Sequence, residues 1–208
     1  MNDRYSIFPI HFVKRSRALL DQGDKASCLY AALELRLGIE SRIQPYIHAS
    51  DQISKSLKKG WHVAKLAKGL EQTASDGKLV SVITFRRTNP TQELTIKFIP
   101  LSKELIGIYE RLGDFLHYRE SEHHFNEKWW QTLPEIVHAG LVDLAICAEG
   151  TLLGIPLMRT GTSEVDLKIE MEHGDPRFNV FTQLADTKEI HQTIVEYVPV
   201  DEYYSAAR

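Results

Sequence analysis

Cysteine is nearly absent from this chain: there are two in 208 residues, Cys28 and Cys147, each among apolar neighbours (SCLYAAL and LAICAEG). So few exclude a disulfide-stapled scaffold and a cysteine-built zinc site, and leave buried free thiols as the expectation. Long apolar runs are missing as well. Nothing approaches the ~18 consecutive apolar residues of a membrane span, and the opening MNDRYSIFPIHFVKRS lacks the basic-then-apolar layout of a signal peptide. The expectation is a cytoplasmic protein with no membrane partner. Glycine patterns that cradle nucleotide phosphates are also lacking: GTLLGIPLMRTGTS fits neither GxxxxGK[ST] nor GxGxxG. There is no GxSxG elbow for a serine hydrolase. His117, His123 and His124 lie close together, but neighbouring histidines diverge on a helix and no carboxylate spacing completes a ligand set. No metal and no cofactor are therefore expected.

What is present is the composition of an ordinary globular protein, 43% apolar and 25% charged, in a chain long enough for one medium domain or two small ones. The net charge of −3 hides an asymmetry. Residues 1–139 hold 20 Lys and Arg against 16 Asp and Glu, whereas residues 140–208 hold 5 against 12. A phosphate-binding surface is thus to be sought in the first part.

Hydrophobic periodicity divides the chain. Residues 4–22 read as a helix, broken by GDK. ASCLYAALELRLGIESRI (26–43) is apolar around most of its circumference and reads as the central helix of a bundle. Its charges, Glu34, Arg36, Glu40 and Arg42, suggest internal ion pairs or a cleft wall. After Pro45 a further helix is expected from about Asp51 to Gln72, in which Lys55, Lys58, Lys59, His62, Lys65 and Lys68 form a basic stripe. That stripe is either a solvated face or a surface that tracks phosphates. LVSVITFRR and ELTIKFIP alternate about TNPTQ and predict a β-hairpin at about 79–99. From Leu141 the pattern is read as period two: LAICAEGTLLGI, VDLKIEM, RFNVFTQL and TIVEYVP predict a small C-terminal antiparallel sheet.

The strongest helical signal is LSKELIGIYERLGDFLHYR (101–119). Leu101, Leu105, Ile108, Leu112 and Phe115 form one apolar stripe, with Pro100 and Ser102 at its start. At 100° per residue Arg111 and His117 lie roughly 120° apart with Asp114 between them, so the three can address one cleft.

RLGDFLH (111–117) resembles the motif of the HEPN superfamily, helical-bundle proteins in which an Arg is followed by four to six residues and then a His. The resemblance covers roughly residues 1–139. It implies a metal-independent endoribonuclease of the toxin or phage-defence kind, assembled as a homodimer across such motifs. In that reading Arg111 stabilises the transition-state charge and His117 acts as general acid or base. Asp114 orients the imidazole, while Tyr118, Arg119, Lys58, Lys65 and Arg36 bind the RNA backbone. The family often has a polar residue after the Arg, where this chain has Leu112, and many HEPN domains are non-catalytic. The alternative is a dimerisation or adaptor subunit that binds a protein partner through the β portion. The fold expected is α+β: a HEPN-like helical domain at 1–139 with an inserted hairpin, then a small antiparallel portion at 140–208.

Overall fold

A computed structural model describes residues 5–50, 53–59, 63, 65–67, 78–87, 93–117, 127–155, 157–158, 165–186 and 190–208. It is an α+β fold. The helices are α1 (Pro9–Leu20), α2 (Lys25–Ala49), α3 (Lys55–Lys58), α4 (Lys103–Leu116), α5 (Glu127–Ala148), α6 (Pro176–Asp186) and α7 (Val200–Ala207). The strands are β1 (Leu79–Arg87), β2 (Glu93–Phe98), β3 (Leu157–Met158), β4 (Val165–Asp166) and β5 (Ile190–Pro199). Among the described residues no helix is long and apolar enough to cross a membrane.

α2 is the central element. Asp24 caps it by accepting from the Ser27 N–H at 3.0 Å. Ala31, Ala32, Leu35, Ile39, Ile43 and Ile47 are fully buried, in one core with α1, α4 and α5. The helix does not stop before Pro45, as expected from sequence, but runs through it to Ala49. Proline forfeits one backbone hydrogen bond, and the buried side chains beyond it hold the turn in place. Tyr46 is wholly buried and donates its hydroxyl to the Ile99 carbonyl at 2.8 Å. α1 begins at Pro9 rather than at residue 4, with the proline in its first turn.

The hairpin forms as predicted, with Ile83 opposite Ile96. Of the expected C-terminal sheet, the described residues show the two-stranded antiparallel pair β3–β4, and the last strand goes elsewhere. β5 returns to pair antiparallel with β1, giving one sheet of order β2-β1-β5. Two segments expected as strands are helices. LAICA belongs to α5, where Leu141, Leu144 and Cys147 are buried at helical spacing; a short continuous apolar run does not distinguish strand from helix by period alone. RFNVFTQL forms α6. The HGDP turn before it is the start of that helix, with Asp175 accepting from the Arg177 N–H at 2.9 Å and Pro176 in the first position. VDLKIEM contributes only β4, paired with β3, and a bridge between Ile169 and Leu152. The boundary expected at 139/140 thus falls within α5, and the strand after it completes the sheet begun by the hairpin.

The entrance to α4 is tied at several points. Ser102 caps the helix, accepting from the Leu105 N–H at 3.0 Å, and donates to Asp143 of α5 at 2.6 Å. Arg208 grips the same carboxylate with Nε at 2.9 Å and Nη2 at 2.8 Å. Tyr204 of α7 donates to the Pro100 carbonyl at 2.9 Å. These bonds fix where α4 begins, and its buried stripe of Leu105, Ile108 and Leu112 fixes its rotation.

Candidate active site

With α4 held by that stripe, its other side and its C-terminal end are presented to solvent. Arg111, Asp114 and His117 are all exposed. Together with Arg36 of α2, Tyr109, Glu110 and Gly113, they line one open cleft of about 450 Å³. Four of the residues expected from sequence, Arg36, Arg111, Asp114 and His117, therefore meet. His117 is the C-cap, with its N–H bonded to the Gly113 carbonyl at 3.1 Å. Among the described residues the side chains of Arg111 and His117 make no hydrogen bond or ion pair, which leaves both groups available to a ligand.

Arg36 is held far more firmly. Its Nη2 donates to the Tyr109 hydroxyl at 3.1 Å, its Nε lies 3.5 Å from Glu40, and its guanidinium sits 4.4 Å over the Tyr109 ring. Tyr109 in turn donates to Glu40 at 2.7 Å. Gly113 is what lets the guanidinium reach the cleft. A Cβ there would stand 3.0 Å from Arg36 Nη1 and 3.8 Å from the His117 ring, so the two groups flank the same bare stretch of backbone. A pre-ordered cation beside an accessible imidazole is suited to binding a phosphodiester and moving a proton at it.

No family model, curated protein or solved structure matches this chain. The cleft is therefore interpreted from its own chemistry.

Lys58 lies elsewhere. Its ammonium donates to the His48 carbonyl at 3.3 Å, near the far end of α2 and roughly 18 Å along the helix axis from Arg36. Lys65 is exposed and does not line the cleft. Tyr118 and Arg119 lie outside the described residues, as do His62, His123 and His124. Tyr109 is buried within the chain. Phe115, the last residue of the apolar stripe, packs on Trp129 with ring centroids 4.7 Å apart. The contributions of Tyr109 and Gly113 to the cleft were missed from sequence. The glycine within RLGDFLH was the available signal for the second. Among the described residues no cluster of three or more His, Cys, Asp or Glu is placed to hold a metal ion.

Burial, followed by the bond to Glu40, pushes the Tyr109 phenol up to about 12 from an ordinary value of 10. The folded state thus prefers the neutral phenol. Its stabilisation is fully present below pH 10 and is lost as pH rises from 10 towards 12. In thermal melts across that interval, wild type is expected to lose stability more steeply than Tyr109→Phe. Parallel curves would show that Tyr109 does not couple to the fold in this way.

Proposed function

We propose that this protein is a HEPN-like RNA-binding effector, a metal-independent endoribonuclease of the toxin or phage-defence type. The observation that carries the reading is the convergence of Arg36, Arg111 and His117 on one accessible cleft. RNA contains its own nucleophile. A base that removes the 2′-hydroxyl proton lets that oxygen attack the adjacent phosphorus, and an acid protonates the departing 5′-oxygen. His117 is the group in the cleft suited to one of these transfers. Arg36 and Arg111 face the negative charge that builds on the phosphoryl oxygens, Arg36 held by Tyr109 and Glu40 and Arg111 from the exposed side of α4. Asp114, on the same side of α4 as His117 and lining the same cleft, is the group placed to orient the imidazole.

One imidazole performs one transfer at a time, so a second copy of the cleft supplies the missing acid or base. The apolar surface for that assembly is on α2. Tyr30, Leu33 and Leu37 are 60%, 42% and 37% exposed and lie along the side of α2 that adjoins Arg36. We therefore place the homodimer contact on this stripe. Leu37→Asp is expected to convert a dimer into a folded monomer in light scattering and to remove cleavage with it, because a carboxylate would be buried unpaired. A wild-type protein that stays monomeric at micromolar concentration would contradict the two-chain groove.

The non-catalytic adaptor remains the second reading, and a specific feature favours it. β5 is an edge strand of the sheet, with Val195 and Tyr197 44% and 51% exposed, and such an edge can accept a strand from a protein partner. Incubation of the full chain with total RNA in EDTA separates the two. Cleavage supports the nuclease; intact RNA supports the adaptor.

A further inference from the structure

Of the charges on α2, Arg36 pairs with Glu40 and Glu34 pairs with Arg15 at 2.8 Å, but among the described residues Arg42 has no carboxylate within ion-pair distance. It is 3% exposed. Its face stacks on the Tyr46 ring at 4.4 Å, so hydrogen bonds must be made from the guanidinium edges. Nε and Nη2, which share one edge, are buried without a hydrogen-bond partner. An unpaired buried cation is costly, and a protein that keeps one generally supplies it with an anion.

Arg42 lines a small enclosed cavity of about 120 Å³ between the start of α1, the end of α5 and residues 170–177. A second orphan lines it as well: the Thr151 hydroxyl, on a residue 2% exposed, has no partner either. Gly150 makes the arrangement possible, since a Cβ there would fall 2.1 Å from Arg42 Nη2. The N-terminus of α1, formed by Phe8, Pro9 and Ile10, opens on the same space. It has no side-chain cap and no acidic residue in its first turn; the carboxylate that reaches it is Glu172, bonded to His11 and Ser6. Three carboxylates also border the cavity. Glu172 is taken by His11 at 2.9 Å and Asp175 by Arg177 at 2.6 Å. Glu170 remains; burial raises its pKa and the nearby Arg42 charge lowers it, burial being the larger effect. The Nε–Nη2 edge of Arg42 offers two donors to a ligand with two acceptor oxygens, the pattern of a carboxylate.

Phe8, Pro9 and Glu170 also line a larger, neighbouring cavity of about 720 Å³. Ile7, Pro45, Leu153 and Ile169 give that space an apolar wall, and its size is that of a small-molecule site. We propose that the two adjoining cavities bind a small organic carboxylate, its carboxylate on Arg42 and Thr151 and its apolar body against Pro45, Leu153 and Ile169. This site shares no lining residue with the cleft on α4 and does not depend on the ribonuclease reading.

Isothermal titration of the full chain with octanoate and with 1-octanol tests it. Saturable binding of octanoate, at least tenfold tighter than the alcohol, is expected. Arg42→Met, which keeps an unbranched stem and removes the charge, should lose that preference. Absent octanoate binding, equal affinity for the alcohol, or an unaltered Arg42→Met protein would each overturn the proposal. Should Arg42→Met fail to fold by circular dichroism, Thr151→Val decides instead. A loss of threefold or more in octanoate affinity supports the site, and unchanged affinity overturns it.

Discussion

His117→Ala and Arg111→Ala are each expected to lower RNA cleavage in EDTA by about 10²–10⁴-fold, the usual contribution of a positioned proton-transfer group or of a charge-stabilising donor. Both side chains are exposed and make no side-chain bonds among the described residues, so neither change should disturb the fold. That makes the pair informative, because lost activity in a protein with an unaltered melting temperature reports chemistry rather than collapse. The two variants should also differ from each other. Loss of His117 removes a proton carrier and should flatten the pH–rate profile, whereas loss of Arg111 should lower the rate with the profile's shape retained. Equal cleavage by wild type and both variants would place the activity elsewhere.

Arg208→Ala is expected to cost about 3 kcal/mol, the low end of the range for breaking a buried ion pair, because Arg208 itself is partly in water. The carboxylate it leaves behind is the reason for so large an effect. Asp143 is 2% exposed, and without the two guanidinium bonds only the Ser102 hydroxyl remains to satisfy it among the described residues. For a domain of this length the melting temperature should fall by roughly 6–12 °C. Asp143→Asn with Arg208→Ala should recover part of the loss, since no buried charge is then stranded. A drop within a degree of wild type would show that water reaches Asp143. Because Ser102 also caps α4, the single variant should loosen the start of the helix that presents Arg111 and His117.

How far the chain could be read from sequence depended on where each signal resides. α4 was legible because its stripe, its Ser102 cap and its Pro100 lie within nineteen residues, and the β1–β2 hairpin because both strands alternate around a short turn. The end of α5 reads as strand because LVDLAICA is apolar on nearly every side, so its period of 3.6 is hidden. α6 is hidden for another reason: Asp175–Pro176 serves equally as a turn and as a cap followed by a first-turn proline, and RFNVFTQL after it alternates as a strand does. The pairing of β5 with β1 joins residues more than a hundred positions apart and leaves no local trace. In the cleft, Arg36 and the groups on α4 were identifiable individually. The role of Tyr109 was not, because its hydroxyl bridges a pair 69 residues away in sequence.

The central claim, that the α4 cleft cleaves RNA with side chains and the RNA's own 2′-hydroxyl, is tested most directly by the chemistry of the product ends. Wild-type protein treated with EDTA and incubated with an end-labelled RNA should yield fragments ending in a 2′,3′-cyclic phosphate and beginning with a 5′-hydroxyl, and a substrate carrying 2′-deoxy at the cut position should remain intact. Fragments with 3′-hydroxyl and 5′-phosphate ends, or cleavage of the 2′-deoxy substrate, would contradict the account.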